Sequence, residues 1–107
     1  MCIFCRIIDG SLGATIRWQN EMWIAIDDIH PKAKTHVLLV SKTHIESLEQ
    51  AMDQALLESG LSTVQMVART LGLVEAGYKT VINTGRGAGQ IVDHLHIHLL
   101  SGNIGNV

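Results

Sequence analysis

The stretch His94-Leu95-His96-Ile97-His98-Leu99-Leu100 alternates imidazole and aliphatic side chains in strict order before it ends in two leucines. Successive side chains of a β-strand point to opposite faces, so residues two apart lie on the same face, about 6.6 Å from each other. The alternation therefore predicts a strand over residues 94–101, with three imidazoles on one face and aliphatic side chains on the other. If the aliphatic face packs against the core, the opposite face of the sheet carries a row of histidines.

Four further segments have the alternating or β-branched pattern of strands, namely residues 14–19, 22–27, 35–41 and 78–83. Between the third and the fourth, apolar residues recur at steps of three and four, which predicts one long helix that Gly72 ends. The members of this stripe are Leu57, Leu61, Val64, Ala68 and Leu71.

The N-terminus carries a second, shorter helical pattern. Residues 2–8 are apolar at roughly helical spacing, and the turn Asp9-Gly10-Ser11 follows them. Two helices and five strands in this order predict an α+β fold with a five-stranded, mostly antiparallel sheet, one long helix and a short N-terminal helix.

Composition places the chain among globular proteins. It has 107 residues, of which 47% are hydrophobic and 17% charged, and this is enough to bury one core without disulfides. We therefore predict a single domain over residues 1–107. The net charge of −2 and the lack of any Lys/Arg run argue against a nucleic-acid partner. The chain shows neither a signal-peptide pattern nor an apolar run near about 18 residues, which predicts a cytoplasmic protein without a membrane partner.

The residues alone leave three interpretations of the histidine row open. It could be the polar face of a half-exposed strand, although strand propensity does not favour histidine over threonine or valine. It could be a metal site, because two histidines separated by one residue on a strand are a common ligand pair. It could also be catalytic, because histidine is the side chain best suited to nucleophilic and proton-transfer chemistry near neutral pH.

The same seven residues resemble the motif of the histidine triad (HIT) family, in which three histidines alternate with apolar residues and two apolar residues close the run. Six other segments resemble motifs of the family's Hint-like branch in the same order along the chain. They are residues 2–5, 28–31, 35–38, 42–45, 83–85 and 89–90. The chain is therefore identified as a member of the HIT family that resembles its Hint-like branch.

The resemblance implies a five-stranded antiparallel sheet that pairs with a second copy in a two-fold homodimer. It also implies hydrolysis at the α-phosphorus of a nucleotide through a covalent nucleotidyl-histidine, with release of a nucleoside monophosphate. A purine nucleoside phosphoramidase is the leading prediction, and a purine nucleotide or nucleotide conjugate is the expected ligand. Three alternatives stay open: a dinucleoside polyphosphate hydrolase, a nucleotide-sensing interaction protein with incidental hydrolysis, and a metal-binding protein that uses the three histidines together.

Catalytic roles carry over to three histidines. His96 matches the nucleophile, and a covalent intermediate on a neutral imidazole would divide one difficult displacement into two easier ones. His98 matches the residue that lies over the phosphate or the leaving group. His36, on the neighbouring strand, matches a histidine that orients the triad.

Nucleotide-binding roles carry over to residues from four parts of the chain. Asp28 matches the acid that accepts hydrogen bonds from the ribose hydroxyls, and Gly89 belongs to a glycine-rich loop that lets backbone N–H groups approach phosphate. Ile91 departs from the pattern, because many Hint-like members carry a polar donor such as serine there. Four apolar residues resemble the shelf on which the base lies, although each could equally belong to the core; they are Phe4, Ile7, Ile26 and Ile29. Asn83 and Gln90 match polar groups that contact the phosphate and the ribose.

The resemblance to members with an N-terminal Cys-x-x-Cys implies a structural zinc ion. Its ligands would be Cys2, Cys5, His44 and His94. Two thiolates and two imidazoles complete a closed tetrahedral site without a position for a catalytic water. Such a site would hold the N-terminus against the sheet, and a pair of reduced thiols without metal is the alternative.

Overall fold

The computed structural model describes residues 2–104, which form one antiparallel sheet flanked by helices. The elements are α1 (Ile3–Ile8), β1 (Ile16–Gln19), β2 (Trp23–Asp27), β3 (Thr35–Ser41), α2 (Gln54–Thr70), β4 (Lys79–Val81) and β5 (His96–Ser101), with short 3-10 helices at Leu48–Gln50 and Arg86–Ala88. The strands lie in the order β1-β2-β3-β5-β4 in the sheet, and the predicted α+β fold is confirmed. No helix within residues 2–104 is long and apolar enough to cross a membrane.

The long helix α2 covers one face of the sheet. It begins after Asp53, whose carboxylate accepts a hydrogen bond from the Ala55 N–H at 2.9 Å. It ends just before Gly72, which adopts a left-handed backbone with φ 71° that favours glycine. The buried positions of α2 are Leu56, Gly60, Thr63, Val64, Val67 and Ala68.

The prediction of the buried apolar stripe is wrong for one residue. Leu61 is 61% exposed, while Gly60 beside it is buried. The cause is the indole of Trp23, which lies so close that a Cβ on Gly60 would be 2.8 Å from its ring. The packing of this large side chain turns the buried face of α2 away from Leu61.

Strand β5 starts two residues later than predicted. The ladder with β3 runs from the Val40–His96 pair to the Thr35–Ser101 pair. His94 lies before this ladder, because the Leu95 N–H donates instead to the Ile45 carbonyl at 2.7 Å. The predicted alternation of faces nevertheless holds: the core beneath α2 includes Leu95, Ile97 and Leu99.

The opposite face of the sheet carries α1. Phe4 is buried there, in a cluster with four aliphatic residues of β2 and β3. Its ring centroid lies 5.7 Å from that of His94 and 5.1 Å from that of His96. The short N-terminal helix therefore lies on the histidine face of the sheet, beside the triad.

Candidate active site

A cleft of about 620 Å³ lies on the histidine face of the sheet. Its volume is in the range of about 300–1,000 Å³ that is common for small-molecule sites. Its wall is mainly apolar, and a few polar groups converge on it. The predicted site residues that line it are Phe4, Ile7, Ile26, Asp28, Ile29, His36, Asn83, Gly89, His96 and His98.

The middle histidine of the triad is buried and held in one tautomer. His96 is 8% exposed, and its Nδ1 lies 2.6 Å from the carbonyl oxygen of His94. A carbonyl only accepts, so Nδ1 carries the proton and Nε2 keeps a free lone pair. Burial lowers the pKa of His96, which keeps the ring uncharged near neutral pH. This imidazole has the protonation state that a nucleophile needs.

The tautomers of His36 and His98 follow from a backbone donor. The Lys32 N–H donates to Nδ1 of His36 at 3.1 Å, so the proton of neutral His36 is on Nε2. That N–H lies 3.0 Å from Nδ1 of His98 and donates to it, which leaves the His98 proton on Nε2. Burial, aided by the His96 and His36 rings, lowers the pKa of His98 to about 4. Neutral His98 therefore offers an N–H donor in the cleft.

Asp28 lies next to this histidine pair. Its Oδ1 accepts a hydrogen bond from the His30 N–H at 2.8 Å, and its Oδ2 is 3.4 Å from Nε2 of His36. Asp28, His36 and His98 are residue types that could together hold a metal ion. For Nε2 of His36 to bind a metal, however, the proton on Nε2 would have to move to Nδ1. The Lys32 N–H already donates to Nδ1. We therefore assign His36 and His98 as a hydrogen-bonded pair with the Asp28 carboxylate beside it.

Gln90 does not line the cleft, in contrast to its predicted contact with phosphate and ribose. It is 4% exposed, and its Oε1 accepts the Gly85 N–H at 2.8 Å. Its Nε2 donates to the carbonyls of Glu46 at 2.6 Å and Val92 at 3.1 Å. The amide is thus engaged within the protein and holds the glycine-rich loop in place. The sequence carries no signal for this, because Glu46 is far away along the chain.

Arg86 is a loop residue that the sequence analysis does not single out. Its Nη1 donates to the carbonyls of Gln90 at 2.6 Å and Ile91 at 2.5 Å, and its Nη2 pairs with Asp93 at 2.9 Å. These bonds restrain the backbone that carries Ile91. The Ile91 side chain is 81% exposed and lines the cleft, so this part of the wall presents an aliphatic group and no donor.

The four predicted zinc ligands converge on one point beside the cleft. Their ligand atoms are separated by 3.3 Å between the two Sγ atoms and 3.1 Å between the two Nδ1 atoms. The four thiol–imidazole distances range from 3.2 to 3.7 Å. Tetrahedral zinc would separate such ligand atoms by about 3.3–3.8 Å. The cluster of Cys2, Cys5, His44 and His94 therefore fits a zinc ion with adjustments of a few tenths of an ångström.

The tautomer of His94 also suits a metal ligand. Its Nε2 lies 2.7 Å from the Ser41 carbonyl and donates to it, so the free lone pair is on the Nδ1 that faces the cluster. Burial lowers the pKa of His94, which favours the neutral ring that a metal requires. Within residues 2–104, His94, His96 and His98 do not bring their ligand atoms together. The alternative of one metal held by all three histidines is therefore not supported.

The sheet order and the row of histidines above it define the class of histidine triad proteins. The protein-family model of the HIT domain matches residues 12–104 of this chain. The chain belongs to the HIT domain family, which confirms the family predicted from the histidine run.

Solved structures with the same fold extend the comparison. The chain is 38% identical to a HIT family hydrolase from Legionella pneumophila Philadelphia 1, with a TM-score of 0.91 over 95% of this chain and 93% of that one. It is 34% identical to a histidine triad nucleotide-binding protein from Candida albicans, with a TM-score of 0.86 over 92% and 73%. It is 30% identical to a zinc-bound histidine triad family protein from Mycobacterium smegmatis, with a TM-score of 0.86 over 98% and 77%. These likenesses support a HIT family hydrolase-like protein.

Proposed function

We propose that the protein is a purine nucleoside phosphoramidase of the Hint-like branch. The observation that carries this proposal is the His96 imidazole, which is buried, neutral and protonated on Nδ1. Its Nε2 lone pair is therefore available to attack phosphorus in the cleft that the ring lines. The likeness to a HIT family hydrolase supports hydrolysis as the reaction class.

The first chemical step forms a covalent intermediate. Nε2 of His96 attacks the α-phosphorus, a nitrogen–phosphorus bond to the ring forms, and the phosphoramidate nitrogen–phosphorus bond breaks. The electron pair of the broken bond leaves with the amine, which takes up one proton from solvent. The His96 ring becomes cationic and keeps its hydrogen bond to the His94 carbonyl, and His98 donates from Nε2 to a phosphate oxygen.

The second step regenerates the enzyme. A water oxygen attacks the same phosphorus, and the bond between phosphorus and Nε2 of His96 breaks. The nucleoside monophosphate leaves, one proton passes to solvent, and the ring returns to its neutral state.

Residues that line the cleft supply the binding contacts. Asp28 accepts hydrogen bonds from the ribose hydroxyls, while Asn83 and the backbone at Gly89 contact the phosphate. The likeness to the nucleotide-binding protein from Candida albicans supports this part of the proposal. The flat, apolar face of a purine ring suits the shelf formed by Phe4, Ile7, Ile26 and Ile29.

We also propose a structural zinc ion in the cluster of Cys2, Cys5, His44 and His94. The ligand spacing and the zinc-bound relative from Mycobacterium smegmatis support it. When bound, zinc would supply a closed tetrahedral centre that stabilises the fold. His94 would be a ligand of this ion, and its carbonyl accepts a hydrogen bond from His96, so the zinc cluster would also hold the nucleophile in position.

We further propose that the chain is a single HIT domain that forms a homodimer. Among residues 2–104, strand β4 pairs with β5 on one side only, so its other edge is open to a second sheet. Just before β4, Val74 is 57% and Tyr78 37% exposed. Pairing of two β4 edges across a two-fold axis would produce a ten-stranded sheet and cover part of this apolar surface.

Turnover of two substrates separates the candidate activities. We expect an adenosine phosphoramidate to be hydrolysed to AMP with a larger kcat/KM than a diadenosine polyphosphate, measured by chromatography of the nucleotide products. The reverse order would indicate a dinucleoside polyphosphate hydrolase. Tight AMP binding without turnover of either compound would indicate a nucleotide-sensing protein.

The acid limb of the pH profile is expected to lie below the ordinary histidine range. Burial lowers the pKa values of His96 and His98, in the case of His98 to about 4, so both rings stay neutral as the pH falls through 6.5. We expect kcat/KM to reach half of its plateau value only at a pH below 6.5. A limb centred at or above pH 6.5 would contradict neutral, buried imidazoles.

The same pKa directions predict how stability depends on pH. The unfolded chain binds protons on these histidines below about pH 6.5, whereas the folded chain resists protonation until the pH is lower. The free energy of unfolding should therefore fall as the pH decreases from 6.5 towards 4. Urea denaturation at a series of pH values measures this slope.

A further inference from the structure

We propose that the Asp28 carboxylate is also a positioning residue for the His36–His98 pair. This inference rests on the proposed function, in which Asp28 binds ribose and His98 faces the phosphate. It adds a second task for the same carboxylate: acting together with the Lys32 N–H to hold His36 in the tautomer and orientation that direct the His98 N–H into the cleft. Loss of Asp28 would then slow the chemical step as well as weaken nucleotide binding.

The Nε2–H of His36 donates to His98 and has a carboxylate beside it. Nε2 of His36 lies 3.0 Å from Nδ1 of His98, and Oδ2 of Asp28 lies 3.4 Å from the same Nε2 atom. The side chains of His36 and Asp28 are only 1% and 15% exposed, so little water competes for these contacts. In such surroundings an oriented carboxylate acts strongly on a nearby N–H group.

The position of Asp28 is itself held by the backbone. Its Oδ1 accepts the His30 N–H at 2.8 Å, which leaves Oδ2 directed at His36. An asparagine at position 28 could not keep both contacts. Its amide NH₂ would have to face either the His30 N–H or the His36 N–H, so a donor would meet a donor at one of the two places.

The surroundings of the His36–His98 pair shift its pKa values in opposite directions. Burial has the largest effect and lowers the pKa values of His36 and His98, and the Lys32 ammonium lowers both further. The neighbouring His96 ring lowers the pKa of His98 as well. Asp28 is the group that raises both values. Its carboxylate therefore stabilises partial positive charge on the pair when His98 donates to a phosphate.

A comparison of two substrates isolates this task from ribose binding. Adenosine phosphoramidate and its 2′,3′-dideoxy counterpart are to be assayed with the wild type, with Asp28→Asn and with Asp27→Asn. The dideoxy compound has no ribose hydroxyl, so a carboxylate that only binds ribose would give equal kcat values for the wild type and Asp28→Asn. We expect Asp28→Asn to lower kcat on the dideoxy substrate about tenfold with KM nearly unchanged. Equal kcat values would overturn the proposal.

Asp27→Asn is the matched control. It makes the same change one residue earlier, where the carboxylate instead pairs with Arg17 at 2.8 Å. We expect it to leave kcat on both substrates within about twofold of the wild type. An equal loss in the two variants would point to net charge or local unfolding and would overturn the assignment to Asp28.

A measurement without turnover separates this inference from the proposed function. Nitrogen-15 chemical shifts of the histidine rings report the tautomers of His36 and His98 in the free protein. We expect Asp28→Asn to reduce the Nε2–H tautomer of His36, and Asp27→Asn to leave it unchanged. Unaltered shifts in both variants would overturn the inference. A wild type that hydrolyses neither substrate, with shifts that respond to Asp28→Asn, would refute only the phosphoramidase.

Discussion

Replacement of His96 by asparagine is expected to lower kcat by about 10⁴-fold or more while the protein stays folded. The asparagine NH₂ group can still donate to the His94 carbonyl that now accepts from Nδ1 of His96 at 2.6 Å. It places no nucleophilic nitrogen where Nε2 lies. The variant therefore removes the attacking atom and retains the local hydrogen bond, which makes it a sharper test than alanine.

Rapid-quench mass spectrometry would measure the intermediate directly. The wild type should carry one nucleotidyl group, mapped to His96, within the first turnover of adenosine phosphoramidate, and His96→Asn should carry none. The melting temperature and metal content of the variant serve as controls and should match those of the wild type. A nucleotidyl group on His36 or His98, or more than about 1% residual kcat, would refute the assigned nucleophile.

The second large effect concerns stability. Replacement of Cys5 by serine is expected to abolish zinc binding and to lower the melting temperature by about 10 °C or more. A structural zinc ion contributes its binding free energy to folding, and Cys5 contacts the ligand atoms of the other three residues at 3.2–3.6 Å. Helix α1, which carries Cys5 and Phe4, would lose its covalent link through the metal to the sheet.

Atomic emission spectroscopy on the purified protein gives the stoichiometry. We expect about one zinc per chain in the wild type and none in Cys5→Ser. His44→Asn should lose zinc as well, whereas His30→Asn should keep it, because His30 lies outside the cluster. A wild type that binds no zinc, or a Cys5→Ser variant with full metal content, would disprove the structural site.

The sequence predicts most of the fold because local patterns control it. Strand β3 spans the predicted residues Thr35–Ser41, and the alternating histidine run has the expected faces. The errors arise where distant residues intervene. Trp23 turns the buried face of α2 away from Leu61, and a bond to the Ile45 carbonyl ends the β5 ladder before His94.

In the candidate site, too, some residues could be predicted from the sequence and others could not. The alternating histidines are visible in the sequence, and the resemblance to the HIT family singles out the Cys/His set and Asp28 as candidates. The roles of Gln90 and Arg86 could not be predicted in this way. Gln90 donates a hydrogen bond to the Glu46 carbonyl, and Arg86 restrains the backbone around Ile91. Such partners are set by three-dimensional proximity, which residue spacing does not encode.

By itself, the sequence determined that three imidazoles alternate with aliphatic side chains and that two cysteines lie near the start of the chain. Only the tertiary structure decided which ring nitrogen carries each proton. His96 donates to the His94 carbonyl, His94 donates to the Ser41 carbonyl, and the His36–His98 pair is oriented by the Lys32 N–H. An imidazole has two nearly equivalent nitrogens, so its tautomer depends on partners that only folding brings within hydrogen-bond distance.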